Sequence, residues 1–198
     1  MQEKILKTTL KTLSNRGYRG TTARAIAAEG GFAAGVIYYH FRDLDDLLVE
    51  TVSYASARRV ERYREVLIGR ERAVDVVEGL RELYREDRDS GHIAAVQELA
   101  AGCRPGSRLA ERLALITRDW EALAAQVIAD LLRGRPFASL VSISTAARGA
   151  VAMYLGMQTL THVDGDEGRI DQMFLQARRL ARLLDRVPRV RHLYLHKT

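Results

Sequence analysis

The sequence contains a single cysteine, Cys103, and only three prolines among its 198 residues. One cysteine excludes an intrachain disulfide and any zinc site built from several cysteines, so a reducing compartment is the expected setting. So few prolines argue against an all-β protein rich in turns. Hydrophobic residues make up 47% of the chain, which predicts a folded protein rather than a disordered one.

Long apolar runs are also missing. No stretch reaches the roughly 18 consecutive apolar residues that a membrane-spanning helix needs. Residues 1–11 alternate between polar and apolar types and lack the apolar core of a signal peptide. We therefore expect no membrane span and no export, and a cytoplasmic location.

Positive charge is concentrated near the amino end. The whole chain carries a formal charge of +6. Residues 1–42 hold two acidic residues, Glu3 and Glu29, against seven basic ones: Lys4, Lys7, Lys11, Arg16, Arg19, Arg24 and Arg42. Such a local excess favours a polyanionic partner.

Apolar residues recur at helical spacing almost everywhere, and strand-like alternation is nearly absent. The clearest case runs from Leu109 to Leu131 in steps of three and four. Gly134 and Pro136 then provide a stop-and-turn signal. The pattern predicts an all-α protein in which three short helices precede six longer ones.

The first 45 residues have the spacing of a helix-turn-helix. Thr21 and Thr22 can cap a second helix, Gly30-Gly31 ends it, and a third short helix carries Ile37 and Phe41 toward a core. In such a motif one helix braces on the DNA backbone while the next enters the major groove.

The third helix is rich in groups that can contact DNA. Tyr38, Tyr39 and His40 offer hydroxyl and imidazole groups to phosphates and base edges. The small residues Ala34, Gly35 and Val36 permit close approach at its amino end, and the threonines that open the second helix can face a phosphate. The aromatic run could also be core packing, which is the commoner role of such stripes.

These residues together resemble the DNA-binding domain of the tetracycline-repressor (TetR) family. The similar positions, over residues 4–50, are Gly17-Tyr18, Thr21-Thr22, Ile26-Ala27, Gly31-Phe32, the run from Gly35 to Phe41, and Leu47-Leu48. The resemblance implies a homodimeric transcriptional regulator, usually a repressor, which a small ligand releases from a palindromic operator.

The resemblance also implies a domain plan. Residues 1–45 form the N-terminal three-helix, helix-turn-helix DNA-binding domain. Residues 46–187 form a six-helix C-terminal ligand-binding and dimerisation domain, with the dimer interface on helices 8 and 9 and a pocket among helices 4 to 8. Residues 188–198 form a basic tail.

Three positions depart from the family pattern. Ala33 stands where the family often has Ser or Thr, Leu44 replaces a common lysine that meets the DNA backbone, and long polar side chains are missing near Ala34. Arg42 is placed to compensate for the lost cation. Base readout would then rest on Tyr39, Val36 and DNA shape.

Two residue sets follow from this interpretation. The predicted DNA-binding residues are Thr21, Thr22, Arg24, Ala33, Ala34, Gly35, Val36, Tyr38, Tyr39, His40 and Arg42. The predicted ligand-binding residues, large or polar groups on otherwise apolar helices, are Tyr84, His92, Gln97, Trp120, Met153 and Met157. Trp120 and the two methionines could instead be ordinary core, and His92 could simply begin helix 6.

No catalytic or cofactor signature occurs. The sequence has no phosphate-binding glycine loop, nucleophile elbow or metalloprotease motif, so we expect no enzyme activity and no cofactor. His192 and His196 are four residues apart but lack a third ligand, so no metal site is expected. The competing interpretations are a helical small-molecule-binding protein or enzyme without DNA binding, and a DNA-binding protein that responds to no ligand.

Overall fold

The computed structural model describes residues 1–166 and 168–189. The described α-helices are α1 (Gln2–Gly20), α2 (Ala23–Gly30), α3 (Gly35–His40), α4 (Leu44–Leu67), α5 (Ala73–Asp89), α6 (His92–Gly102), α7 (Arg108–Leu132), α8 (Ile143–Asp164) and α9 (Gly168–Arg186). A 3-10 turn (Ala138–Leu140) precedes α8, and no β-strand occurs among the described residues. The all-α prediction is confirmed. His192, His196 and the tail beyond residue 189 lie outside the described residues.

Local side-chain chemistry sets the helix boundaries near the amino end. Thr22 caps α2, because its Oγ1 accepts a hydrogen bond of 3.2 Å from the N–H of Ala25. Gly31 ends α2 in the left-handed conformation (φ 65°), which glycine adopts without steric cost. At the start of α4, Asp43 Oδ1 accepts from the N–H of Asp46 at 2.6 Å. The two caps and the glycine can each be identified from the sequence as residues that begin or end a helix.

The first helix differs from its prediction. The spacing of Leu6, Leu10 and Leu13 by four and three positions predicts one helical face that ends at Gly17. The helix α1 instead continues to Gly20 across a non-helical Gly17 (φ 68°, ψ 176°). The positive φ interrupts the helix at this one residue, after which the chain resumes a helical turn. At 19 residues α1 is longer than α5 (17) and α6 (11) and as long as α9 (19), so the predicted order of short helices before long ones is wrong for α1.

The chain packs as two compact units. The first comprises Met1–Arg62 and Leu83–Asp119, and the second comprises Tyr63–Glu82 and the described residues from Trp120 onward. Helices α4, α5 and α7 therefore contribute residues to both units. The predicted functional boundary between residues 45 and 46 is a separate matter and stays a prediction.

A buried arginine organises one end of the second unit. Only 2% of the Arg135 side chain is exposed, and its guanidinium donates to the carbonyls of Leu131, Leu184 and Val187. Asp185 lies 3.5 Å from Arg135 Nη2. Its carboxylate also accepts from the N–H groups of Ala73 (2.8 Å) and Val74 (3.1 Å) at the start of α5. This pair joins the ends of α7 and α9 to the beginning of α5.

No described helix is both long enough and apolar enough to span a membrane.

We expect Asp185→Ala to lower the free energy of unfolding by about 3 kcal/mol, because it leaves the buried Arg135 charge without its counterion and uncaps α5. Chemical denaturation followed by circular dichroism measures this change. The control is Asp171→Ala, whose exposed ion pair with Arg81 contributes at most about 1 kcal/mol. Equal losses in the two variants would contradict the assigned role of the buried pair.

Candidate nucleic-acid interface

The third helix is held by a small apolar core. Ile37 is fully buried and Phe41 is 3% exposed. They pack in one cluster with Ile5, Leu6, Ile26 and Leu47, so α1, α2 and α4 all contribute to the support of α3. A six-residue helix is too short to be stable in water by itself. Packing of Ile37 and Phe41 therefore decides both that α3 forms and which way it faces.

This anchoring leaves the aromatic residues between the two core positions on the surface. Tyr39 is 85% exposed and Tyr38 is 58% exposed. The ring of His40 lies edge-on to that of Tyr39, with 5.1 Å between centroids and an interplanar angle of 87°. Two tyrosine hydroxyls thus project from a rigid short helix, and the alternative in which Tyr38 and Tyr39 are core residues does not hold.

The amino end of α3 is open. Ala33 and Gly35 are exposed, and Ala34 and Val36 are partly buried. Apart from its chain neighbours and the backbone of α3 itself, no atom of the described residues lies within 4 Å of the position that a Cβ would take on Gly35. The backbone at the amino end of α3 is therefore open to close approach by a bulky partner such as DNA.

The basic residues near the amino end divide into paired and unpaired groups. Lys7 contacts Glu3 at 2.9 Å and Lys11 contacts Glu29 at 2.6 Å. Arg24 is exposed, and no described carboxylate oxygen lies within 4 Å of its guanidinium. Its charge is available to a polyanion.

Two predicted contact residues are already bonded to other groups of the same chain. Thr21 is only 2% exposed, and its hydroxyl donates to the carbonyl of Gly17 at 2.7 Å. Arg42 contacts Asp46 at 2.7 Å and holds the pKa of that carboxyl below its usual range. Thr22, by contrast, is exposed at the start of α2. The prediction for Thr21 remains untested, and its burial favours a structural role.

The predicted ligand-binding residues fall in both compact units. Tyr84, His92 and Gln97 belong to the first, and Trp120, Met153 and Met157 belong to the second. Gln97 is the most informative. Both its Nε2 and its Oε1 are buried, and neither has a hydrogen-bond partner among the described residues. Such unpaired groups are costly unless something else satisfies them.

His92 is kept neutral by its surroundings. Burial, and secondarily the positive charge of Arg59, lowers the pKa of His92 to about 4. The imidazole is therefore uncharged near neutral pH. Tyr84 is 7% exposed and packs as a core residue.

In the second unit, Trp120 lies edge-on to Tyr63 with ring centroids 4.8 Å apart. The hydroxyl of Tyr63 is 3.1 Å from that of Tyr154. The Nε2 of Gln158 is buried and unpaired among the described residues. The sequence analysis did not identify Tyr63, Tyr154 or Gln158. Each has a polar group at the end of its side chain and stands at a helical position of apolar spacing, and this pattern could have identified all three.

The methionines on α8 differ in exposure. Met153 is 57% exposed, whereas Met157 is partly buried. The exposure of Met153 does not fit an enclosed pocket and places it on a surface with other apolar residues. No three His, Cys, Asp or Glu side chains among residues 1–166 and 168–189 gather into a potential metal site.

Comparisons with known proteins agree with this architecture. The sequence pattern described as "Bacterial regulatory proteins, tetR family" matches residues 5–51. The HTH-type transcriptional regulator YerO of Bacillus subtilis (strain 168) is 31% identical over 72 residues, which cover 35% of this chain and 25% of that relative. The match thus spans about a quarter of the relative's length.

Two solved structures show the same fold at low sequence identity. One is a transcriptional regulator from Rhodococcus sp. Rha1, with a TM-score of 0.75, 16% identity, and coverage of 95% of this chain and 100% of the other. The second is the transcriptional regulator FadR from Bacillus subtilis in complex with stearoyl-CoA, with a TM-score of 0.72, 14% identity, and coverage of 94% and 98%.

The family match falls on the segment that contains α2, α3 and the core that holds them. Over residues 5–51 the chain is therefore similar to the tetR family of bacterial regulatory proteins.

We expect very unequal effects on stability from two substitutions in α3. Ile37→Ala removes a fully buried side chain and should cost about 2–5 kcal/mol of unfolding free energy. Tyr39→Ala removes an exposed side chain and should change stability by about 0.5 kcal/mol or less. Thermal or chemical denaturation tests both. A large loss in the Tyr39 variant would show that its ring supports the core.

Proposed function

We propose that this protein is a transcriptional repressor that binds a palindromic operator as a homodimer and is released by a small molecule bound in its C-terminal domain. The observation that carries the proposal is the exposure of Tyr39 on a helix anchored by Ile37 and Phe41. A rigid, outward-facing helix with polar tips is what major-groove recognition requires.

Each part of the interface has a distinct task. The small residues at the start of α3 let the backbone approach the base edges, and Val36 is suited to contact a thymine methyl group. Tyr38, Tyr39 and His40 donate to phosphates or base edges. Thr22 and Arg24, at the start of α2, hold the phosphate backbone and fix the register of the helix.

The electrostatic part of binding comes from basic side chains that lack an internal partner, Arg24 among them. Each phosphate neutralised by such a side chain releases condensed counterions, so affinity should fall steeply as salt rises. Arg42 contributes less than the sequence suggests, because Asp46 already neutralises it.

An apolar surface on the last two helices supports the dimer. On α8 the exposed residues Met153, Leu160 and Val163 are separated by seven and three positions, so they share one face with Gly149 and Gly156. Outside α8 itself, no described atom lies within 4 Å of a Cβ position on either glycine, which permits close approach of another helix. On α9, which packs against α8, Leu175, Leu180 and Leu183 are also exposed.

A second copy of the chain is the occupant that this surface fits. Large exposed apolar patches are unusual on monomeric proteins and mark interaction sites. Two-fold pairing through α8 and α9 would bury the exposed apolar residues of both helices at once. The two α3 helices would then read half-sites about 34–36 Å apart, one helical turn of DNA.

The effector contact is proposed at Gln97. Its amide offers one acceptor and two donors that the described protein leaves unsatisfied. The similar fold of FadR, solved with stearoyl-CoA, supports a bound ligand within this architecture. Release from DNA requires that the effector bind one dimer shape more tightly than the other.

DNA binding is tested with a duplex selected from a random library by the purified protein. We expect fluorescence anisotropy to show preference for that duplex over a scrambled one, and a steep loss of affinity with salt. Tyr39→Ala should weaken binding by about tenfold or more, because a good base or phosphate contact is worth about 1–3 kcal/mol.

The matched control for Tyr39→Ala is Leu140→Ala. Leu140 is also 85% exposed but lies in the 3-10 turn, outside the proposed interface. Its loss should leave DNA affinity unchanged. Failure to select any duplex, or wild-type affinity in the Tyr39 variant, would favour a helical ligand-binding protein that does not contact DNA.

The dimer is tested by Leu160→Glu, which places a charge on the exposed face of α8. We expect the variant to sediment as a monomer in analytical ultracentrifugation, because a buried unpaired charge is strongly unfavourable at an apolar interface. Leu140→Glu, an equally drastic change at an exposed site in the 3-10 turn rather than on α8 or α9, should remain a dimer. A dimeric Leu160 variant would contradict the assigned interface.

A further inference from the structure

The corner between α1 and α2 depends on a residue from α6. Gly17 has non-helical backbone angles, and the following N–H, that of Tyr18, would bond the carbonyl of residue 14 in a continuous helix. It instead donates to Glu98 Oε2 at 2.8 Å. A carboxylate 80 positions away along the chain thus satisfies a backbone donor in the proposed DNA-reading segment.

The bonded residues lead directly into α2. The carbonyl of Tyr18 accepts from the N–H of Thr21 at 3.2 Å, and the carbonyl of Gly17 accepts from the Thr21 hydroxyl at 2.7 Å. Thr22, the next residue, caps α2. The hydrogen bond that holds the peptide between Gly17 and Tyr18 therefore also sets the direction in which α2 begins.

Helix α6 is fitted closely against α1 at both of its ends. A Cβ on Gly91 would lie under 3.0 Å from Ser14 Oγ, and one on Gly102 would lie under 3.0 Å from the ring of Tyr18. Real Cβ atoms essentially never approach so closely. These glycines allow α6 to lie against α1, which brings Glu98 to the corner between α1 and α2.

The carboxylate of Glu98 has no competing cationic partner in the part of the chain that the structure describes. Among the described residues no Lys, Arg or His nitrogen lies within 4 Å of it. It therefore makes a charge-assisted hydrogen bond to one backbone N–H in a partly buried setting, and such bonds are stronger than neutral ones. A small displacement of α6 would break it.

The residue before Glu98 is Gln97, whose buried amide lacks a partner. Adjacent positions on a helix point about 100° apart, so α6 can present one side chain to a ligand and the next to α1. A ligand that binds the Gln97 amide and displaces it would therefore also displace the backbone of α6 that carries Glu98.

We propose that Glu98 is a positioning residue for DNA recognition: its bond to the Tyr18 N–H holds the α1–α2 corner, and α6 thereby sets operator affinity. The inference rests on the proposed function and adds its regulation. It assigns no contact between Glu98 and DNA.

The test compares Glu98→Ala with Glu98→Gln in the full-length protein. We expect Glu98→Ala to lose about tenfold or more in affinity for the selected duplex, since the lost bond involves a charged group. Glu98→Gln keeps an acceptor oxygen and should stay within about threefold of wild type. Glu82→Ala, an exposed glutamate on α5, is the control and should not change affinity.

Amide hydrogen exchange provides a readout that does not depend on DNA. In Glu98→Ala the amides of residues 18–22 should exchange about tenfold faster or more, while those in the core of α4 keep wild-type rates. Unchanged exchange at residues 18–22 would overturn the proposal, as would Glu98→Gln binding as weakly as Glu98→Ala. If wild-type protein selects no duplex, the proposed function fails, and the exchange experiment still decides whether Glu98 holds the corner.

Discussion

Burial of Ile37 and Phe41 is the interaction on which the proposed recognition surface depends. A helix of only six residues gains little from its own hydrogen bonds, so its existence and its orientation come from contacts with α1, α2 and α4. Because the two anchors are four positions apart, they occupy one face. The tyrosines between them must then point outward, where one of them is 85% exposed.

Charge is distributed so that the same surface remains attractive to a polyanion without destabilising the fold. Lys7 and Lys11 are neutralised by nearby glutamates, and Arg42 by Asp46. Arg24, at the start of α2, keeps its charge for an external partner. The excess of positive charge read from the sequence is thus real, but fewer side chains supply it than a count of residues indicates.

Most of the helical layout was predictable from the sequence, because its signals are local. The cap at Thr22, the left-handed Gly31 and the cap at Asp43 each involve residues within a few positions. The bonds from Glu98 to Tyr18 and from Arg135 to Leu184 and Val187 join distant parts of the chain, and no periodicity encodes them. Exposure was equally hard to predict: Thr21 is buried and Met153 is not.

The most direct test of the central claim is an amide chemical-shift map of the deuterated protein with its selected duplex. Our account predicts that the largest changes fall on residues 22–24 and 33–40, and that a scrambled duplex changes them far less. Shifts confined to α5 through α9, or none that distinguish the two duplexes, would contradict the assignment of α3 as the element that recognises DNA.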